Sequence, residues 1–152
     1  MRTGLALWPR AALAAAVTGI SFPLAAQASA PFVVIVNATN PVTAVTRDEL
    51  SKVFLKKQSA WNNGMPVTPL DLTEDAGARE AFTKAVHLRS VTAVKSYWEQ
   101  QIFSGRDVPP TEERTETDVV AAVRANPNAI RYVSASAAAG AAGVKVISVT
   151  GS

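Results

Sequence analysis

The pattern of apolar and polar positions along the chain predicts an alternation of short strands and amphipathic helices. Residues 32–36 (FVVIV) form a continuous apolar run rich in β-branched residues, as in strands that are buried on both faces. Similar runs at 67–70, 129–133 and 144–149 predict three more strands. Pro66 precedes the run at 67–70 and Pro69 interrupts it, so we expect that strand near an edge of the sheet.

Four helices are predicted from capping residues and from apolar positions three and four residues apart. Thr46 and Glu49 form a capping box, in which each side chain satisfies a free backbone N–H at the helix start. Leu50, Val53 and Phe54 then provide the buried stripe of this first helix. The other three are predicted to begin at Gly77, after Ser90 and after Thr115. The order of elements predicts an α/β fold, with a largely parallel or mixed sheet flanked by about four helices.

The first 28 residues have the features of an export signal. Arg2 and Arg10 give a positive start, and the apolar stretch 11–26 is too short for a comfortable membrane span. Ala26-Gln27-Ala28 then supplies the small-x-small pattern that signal peptidases accept. We therefore predict a cleaved signal peptide over residues 1–28. The alternatives are cleavage two residues later and a retained N-terminal anchor.

The composition of the remaining residues, 29–152, excludes several classes of protein. These 124 residues are enough for one domain, and they carry 13 basic and 12 acidic side chains, for a formal charge of +1. No basic or basic–aromatic patch favours nucleic acid. The chain has no cysteine, which excludes disulfides, a thiol nucleophile, a thiolate metal site and a lipid-modified cysteine. We expect a periplasmic or secreted protein without membrane insertion after cleavage.

No set of residues in the sequence predicts an enzyme, a metal site or a cofactor. His87 is the only histidine, and it lacks the partners that a catalytic or metal-binding histidine needs. We expect it on the surface or at the end of its helix. Ser104 and Ser134 have no general base in a recognisable pattern.

Several segments together resemble the phosphate-binding family of periplasmic substrate-binding proteins, the receptors of ABC importers. The resemblance covers roughly residues 33–149 and depends on the order and spacing of its parts. These parts are VVIVNATNPVTAVTRDELSKVFL at 33–55, Trp61 through Gly64, DLTEDAGAREAF at 71–82, Tyr97-Trp98 ahead of IFSG, Pro109-Pro110 and ANPNAIRYVSA at 125–135.

The resemblance implies one lobe of a type II periplasmic-binding-protein fold. Family members clamp their ligand between two lobes, and residues 29–152 resemble the second lobe only. One lobe offers half a cleft that is open to water. The expected partners are therefore a small phosphate-like anion, an ABC permease, and a second copy or another protein that closes the cleft.

In phosphate receptors of this family, the loop at residues 71–82 typically carries an arginine and an aspartate, followed by serine, glycine and threonine. Here the arginine position falls on Leu72 and the aspartate position on Glu74. The serine, glycine and threonine positions fall on Ala76, Gly77 and Ala78. The glycine and the helix start are kept, whereas the arginine and both hydroxyls are absent.

The missing side chains predict weak anion binding at best. A helix N-terminus contributes about 0.3–1 kcal/mol to an anion, and each hydrogen bond to a charged group about 1.5–3 kcal/mol. Two missing hydroxyls correspond to a loss of about 10²- to 10⁴-fold in affinity. Asp75 adds repulsion. Arg79 in the first turn would compensate in part, unless it is solvated or paired with Glu74 or Asp75.

Other polar and aromatic residues are weaker candidates for ligand or partner contacts. Asn37, Thr39 and Asn40 follow a buried strand, where α/β folds place ligands, although their alternative role is turn formation. Arg131 replaces a glycine that is common in the family, and we expect it on an exposed face or near the sheet end. Trp61 beside a turn is expected at the rim of a pocket.

The sequence thus favours an exported, non-enzymatic protein that resembles phosphate-binding receptors and binds a small anion weakly. The expected site comprises Asn37, Thr39, Asn40, Ala76, Gly77, Ala78 and Arg79. The alternative is a protein–protein interaction module on a lobe that has lost tight ligand binding, with Trp61 and the loop at Pro109-Pro110 as contacts.

Overall fold

The computed structural model describes residues 31–151, so the predicted signal peptide lies outside the described residues. The strands are Val33–Asn37 (β1), Ala44–Thr46 (β2), Thr68–Leu72 (β3), Thr111–Glu113 (β4), Ala129–Val133 (β5) and Val144–Thr150 (β6). The helices are Arg47–Phe54 (α1), Gly77–Phe82 (α2), Val91–Phe103 (α3), Glu116–Ala125 (α4) and Ala135–Ala138 (α5), and α2 continues into a π-helical turn, Thr83–His87. No helix within residues 31–151 has the length and apolar composition needed to cross a membrane.

The six strands form one mixed sheet in the order β2-β6-β1-β5-β3-β4. β1 is antiparallel to both of its neighbours, β5 and β6. β3 is parallel to β5 on one side and to β4 on the other. β1 and β3 therefore run in opposite directions, and their carboxyl ends lie at opposite ends of the sheet. The mixed sheet and the α/β class confirm the predicted fold.

Helix boundaries follow the capping residues that the sequence indicates. The Thr46 hydroxyl accepts a hydrogen bond of 3.1 Å from the Glu49 amide and begins α1, whose Leu50, Val53 and Phe54 are buried as predicted. Ser90 and Thr115 cap α3 and α4 in the same way. These capping residues are sufficient to set where each helix begins, because each side chain accepts from a backbone N–H that the helix itself cannot satisfy.

The main core lies between the sheet and helices α1, α2 and α4. Tyr132 of β5 stacks on Phe82 of α2 with ring centroids 3.8 Å apart, and Phe54 of α1 packs against both rings. Trp61 is 4 % exposed and belongs to this core, so the expectation of a rim position was wrong. The bridge between Ala60 and Pro66 holds the turn in which Trp61 lies.

Helix α3 is attached through a separate, smaller cluster. Val94 and Trp98 are buried against Leu55, and Tyr97 packs on this cluster. The Tyr97 hydroxyl donates a hydrogen bond of 3.2 Å to the Leu55 carbonyl. The predicted core position of Trp98 is confirmed, and the rest of α3 is largely exposed to solvent.

The structure differs from the predicted elements in three short segments. β2, β4 and α5, of three or four residues each, lie in stretches that the sequence pattern left irregular. The strand expected near an edge, β3, lies next to the edge strand β4, which pairs with it. That pairing begins at Leu70, one residue after Pro69, which lacks an N–H to donate.

Candidate functional site

The predicted anion loop lies at the carboxyl end of β3. The Thr73 amide donates 3.2 Å to the Glu113 carbonyl of β4, and the Ala76 amide donates 3.1 Å to the Thr73 carbonyl. α2 then begins at Gly77, as predicted, with Ala76 as an N-cap that makes no side-chain hydrogen bond. Ala76, Gly77 and Ala78 are therefore together at a helix start, where they offer backbone groups only.

Arg79 does not face solvent, and its charge is paired with a carboxylate inside the protein. It is 4 % exposed, forms a salt bridge with Asp71, and donates 3.0 Å to the Leu72 carbonyl. Burial alone would lower the pKa of Arg79, but the charge of Asp71, Tyr132 and the hydrogen bonds to both together outweigh it, and the pKa lies above its usual value. The expectation of a solvated arginine, or of a pair with Glu74 or Asp75, was wrong.

Asp71 is the centre of a buried polar network that the sequence did not indicate. Besides Arg79, it accepts hydrogen bonds from the Tyr132 hydroxyl and, at 2.9 Å, from the Leu72 amide. Burial and the Asp71 charge raise the pKa of Tyr132 far above its usual value, so this phenol stays protonated and donates. The sequence gives a single signal for this network, which is an acidic residue, Asp71, next to Leu72 within a strand. One acid in a strand does not reveal which side chains it pairs with.

The open side of the loop is acidic. Glu74 and Asp75 are both exposed, and Glu74 forms a salt bridge of 3.3 Å with Lys95. A hydrogen bond from the Thr73 side chain lowers the pKa of Asp75 below its usual value, so this carboxylate is charged at neutral pH. An anion approaching the Gly77 amide therefore meets a negative charge that the Arg79–Asp71 pair does not offset.

Asn37, Thr39 and Asn40 lie at the other end of the sheet. Asn37 ends β1, and its amide donates 3.0 Å and 2.9 Å to the carbonyls of Val123 and Arg124 in α4. Its side-chain oxygen accepts bonds from the Thr39 amide and hydroxyl. Asn40 donates 3.2 Å to the Pro127 carbonyl and accepts 3.0 Å from the Val42 amide.

These two segments do not form one site. Asn37 is adjacent in register to the start of β5, whereas Leu72 is level with the end of β5 and the anion loop lies beyond it. The reason is that β1 runs antiparallel to β5 and β3. The roles of both segments in ligand binding stay predictions. The structure holds Ala76, Gly77, Ala78 and Arg79 together at one end of the sheet, and Asn37, Thr39 and Asn40 together at the other.

Arg131 is buried, in contrast to the exposed position that we expected. It is 0 % exposed, and none of its guanidinium nitrogens has a hydrogen-bond partner in the described part of the chain. Burial lowers the pKa of Arg131 to about 10, although Asp71 and Glu113 oppose that shift. Because side chains alternate along β5, Arg131 points to the face opposite Tyr132.

His87 is half-buried at the end of the π-helical turn, so its predicted position at a helix end is confirmed. Its Nδ1 lies 2.9 Å from the Ser51 hydroxyl, and its ring packs edge-on against Phe82. Burial, together with the charges of Arg79, Arg89 and Lys57, lowers the pKa of His87 to about 4. The ring is therefore neutral at pH 7 and does not act as a cation at the helix end.

This shift predicts that acid destabilises the protein through His87. The folded pKa of about 4 lies below the ordinary value of 6.5, so the stabilisation is complete above about pH 6.5 and is lost as the pH falls towards 4. Allowing for solvent screening of a half-buried ring, we expect the free energy of unfolding to drop by about 1–2 kcal/mol over that range. Urea denaturation at several pH values would measure it, and His87→Gln should flatten the slope. An unchanged slope in that variant would contradict the prediction.

The largest cleft among those described is beside the loop and not at the helix start. Its volume is about 720 Å³, and its lining includes Glu74, Glu80, Lys84 and Arg89 but none of the seven predicted site residues. Within residues 31–151, no three histidine, aspartate or glutamate side chains are grouped so that they could hold a metal ion.

The sequence matches the model of the PBP superfamily domain over residues 25–151. The chain belongs to this family. This confirms the resemblance seen in the sequence. A search of curated proteins finds no match.

Solved structures with the same fold include proteins described as phosphate receptors. An ABC-type phosphate transport receptor from Vibrio cholerae is 18 % identical with a TM-score of 0.61, over 78 % of this chain and 46 % of its own. A protein from Clostridium perfringens, described as a putative phosphate ABC transporter substrate-binding protein with bound phosphate, is 19 % identical with a TM-score of 0.61, over 78 % and 44 %. PstS from Borrelia burgdorferi is 14 % identical with a TM-score of 0.56, over 79 % and 47 %. The chain thus matches less than half the length of each of these proteins.

Proposed function

We propose that this chain is an exported, non-enzymatic lobe of the binding-protein fold that acts through protein contacts and binds phosphate or another small anion only weakly. The observation that carries the proposal is that Arg79 is buried, where it pairs with Asp71 and donates to the Leu72 carbonyl. Within residues 71–82, three acids are exposed (Glu74, Asp75 and Glu80), and the one cation, Arg79, is buried.

The magnitudes support weak binding. A helix start contributes about 0.3–1 kcal/mol to an anion, whereas tight capture needs several charged hydrogen bonds of about 1.5–3 kcal/mol each. Ala76 and Ala78 supply no hydroxyls for such bonds. α2 is also only six residues long before the π-helical turn, so its dipole is short.

Export is proposed from the N-terminal sequence. Residues 1–28 combine a positive start, an apolar stretch and a small-x-small cleavage pattern. Two solved relatives are described as a phosphate transport receptor and as an ABC transporter substrate-binding protein, which supports a role beside a transporter. An ABC permease therefore stays among the proposed partners.

A receptor for a small anion is the second candidate function. It is favoured by the helix start at Gly77, where the N-cap residue Ala76 leaves the first amides without a side-chain acceptor. In this case the second half of the cleft would come from a second copy or from another protein.

Isothermal calorimetry with phosphate, sulfate and small carboxylates would separate the two functions. We expect no dissociation constant below about 10 μM, since this affinity already corresponds to about 7 kcal/mol. Tighter binding of any of these anions would overturn the interaction proposal in favour of the receptor. A genomic neighbourhood with an importer permease and ATPase would also favour the receptor.

Restoring the family's two hydroxyls should strengthen phosphate binding. The double variant Ala76→Ser/Ala78→Thr adds two donors beside the Gly77 amide, at partly buried positions that pack against the edge of the core. One effective hydrogen bond to the anion, about 1.5 kcal/mol, would improve the affinity about tenfold. Calorimetry of the variant against the parent protein measures the gain, and Ala121→Ser serves as a control that adds a hydroxyl at an exposed position outside the loop. An unchanged affinity in the double variant would show that the loop does not present its amides to the anion.

A further inference from the structure

Helix α3 packs on the lobe along one side and leaves its other side uncovered. Val94 and Trp98 are the buried residues of this 13-residue helix. Leu55 provides the surface on which they pack. α3 is therefore held by a small cluster while most of its surface is in contact with solvent.

The outward side of α3 carries a regular stripe of uncharged residues. Ala93, Ser96, Gln100 and Phe103 are spaced three, four and three residues apart, and all four are exposed. This is the spacing of residues that meet a partner helix along a seam. Phe103 is 97 % exposed, more than any other large apolar residue among those described. Ser96, Glu99, Gln100 and Phe103 line a shallow groove of about 470 Å³.

We infer that this outward side of α3 is a self-association surface, on which the α3 helices of two copies pack antiparallel. Ala93 and Phe103 are ten residues apart, so a two-fold axis at the level of Trp98 places Phe103 of each copy over Ala93 and Ser96 of the other. The small side chains at one end of the stripe leave room for the large ring at the other end. The stripe is therefore complementary to itself in the antiparallel direction.

The charges beside the stripe favour the same direction. Lys95 and Glu99 lie on the same flank of the helix, one turn apart. Antiparallel pairing brings Glu99 of each copy close to Lys95 of the other, because equal flanks then face each other. Parallel pairing would instead place this flank against the uncharged Tyr97 and Gln101 of the other copy. Lys95 is available for the contact, since its present partner Glu74 forms only a half-exposed salt bridge with it.

This inference rests on the proposed function in one respect, because it names a second copy as the protein partner. It fails separately, since a monomer that binds no anion tightly would refute self-association and leave the interaction proposal with a different partner. A dimer that binds phosphate tightly would support self-association and refute the interaction proposal in favour of the receptor.

Analytical ultracentrifugation of the protein purified from cells that express the full chain tests the surface. We expect a concentration-dependent dimer, whose dissociation constant rises at least tenfold in Phe103→Ser, as for loss of one aromatic anchor. Val108→Ser is the matched control, because Val108 is an exposed apolar residue outside α3 and should leave the dimer unchanged. A monomer at every concentration, or a dimer that is insensitive to Phe103→Ser, would overturn the inference.

A charge exchange tests the orientation. Glu99→Lys should weaken the dimer by bringing like charges together, and the double variant Lys95→Glu/Glu99→Lys should restore it. Association that responds to neither variant would overturn the antiparallel arrangement, because in a parallel dimer the two charged positions face uncharged side chains. Circular dichroism of each variant shows that α3 remains folded.

Discussion

Replacing Asp71 by asparagine is expected to lower the free energy of unfolding by about 3–5 kcal/mol, because breaking one side of a buried ion pair leaves the other charge uncompensated. Among residues 31–151, Asp71 is the only carboxylate paired with Arg79, which is itself 4 % exposed. The Tyr132 hydroxyl also loses its charged acceptor. Asparagine keeps the size of the side chain, so the loss reports the charge and not a cavity. Urea denaturation at neutral pH measures it.

Asp75→Asn is the matched control for this variant. Asp75 lies four residues further along, on the exposed side of the same loop, and makes its contacts with Thr73 at the surface. We expect an unchanged midpoint in urea. Equal losses in the two variants, or no loss in Asp71→Asn, would show that the network around Asp71 does not stabilise the fold.

Replacing Arg131 by methionine is expected to raise the free energy of unfolding by about 1–4 kcal/mol, the range seen when buried ionic groups are replaced by apolar side chains of similar volume. Arg131 is fully buried and its guanidinium has no hydrogen-bond partner among residues 31–151, so the folded state bears the cost of desolvating the charge. Methionine fills a similar volume with a flexible side chain. The gain would appear as a higher midpoint in urea with an unchanged slope.

Arg106→Met controls for a general effect of removing a positive charge. Arg106 is exposed in the turn that follows α3, and surface substitutions usually change stability by less than about 0.5 kcal/mol. A loss of stability in Arg131→Met would contradict the prediction and would mean that the buried guanidinium is well satisfied in solution.

The sequence predicted those parts of the fold that depend on neighbouring residues. Thr46, Ser90 and Thr115 each cap a helix at the expected place, because a cap involves a hydroxyl and an amide only three residues away. β2 and β4 were missed because each has only three residues and is held by pairing with a strand far along the chain. Such pairing leaves no periodic pattern in so short a segment.

The candidate site could be predicted only in part, for reasons of strand direction and burial. The helix start at Gly77 follows from local pattern and is where it was expected. Asn37 was grouped with it on the assumption of parallel strands, but β1 runs the opposite way and carries Asn37 to the far end of the sheet. The environments of Arg79 and Arg131 were missed because exposed arginine is much commoner than buried arginine.

The position of β1 in the sheet has a consequence for how the protein is made. β1 lies between β5 and β6, and Val34 is paired with Tyr132 on one side and Ile147 on the other. The middle of the sheet therefore cannot form until β6 has been synthesised, and contacts so distant in sequence form slowly. For a chain that is exported as proposed, this delay would keep the polypeptide unfolded during translocation, with the sheet assembling only after the last strand has crossed.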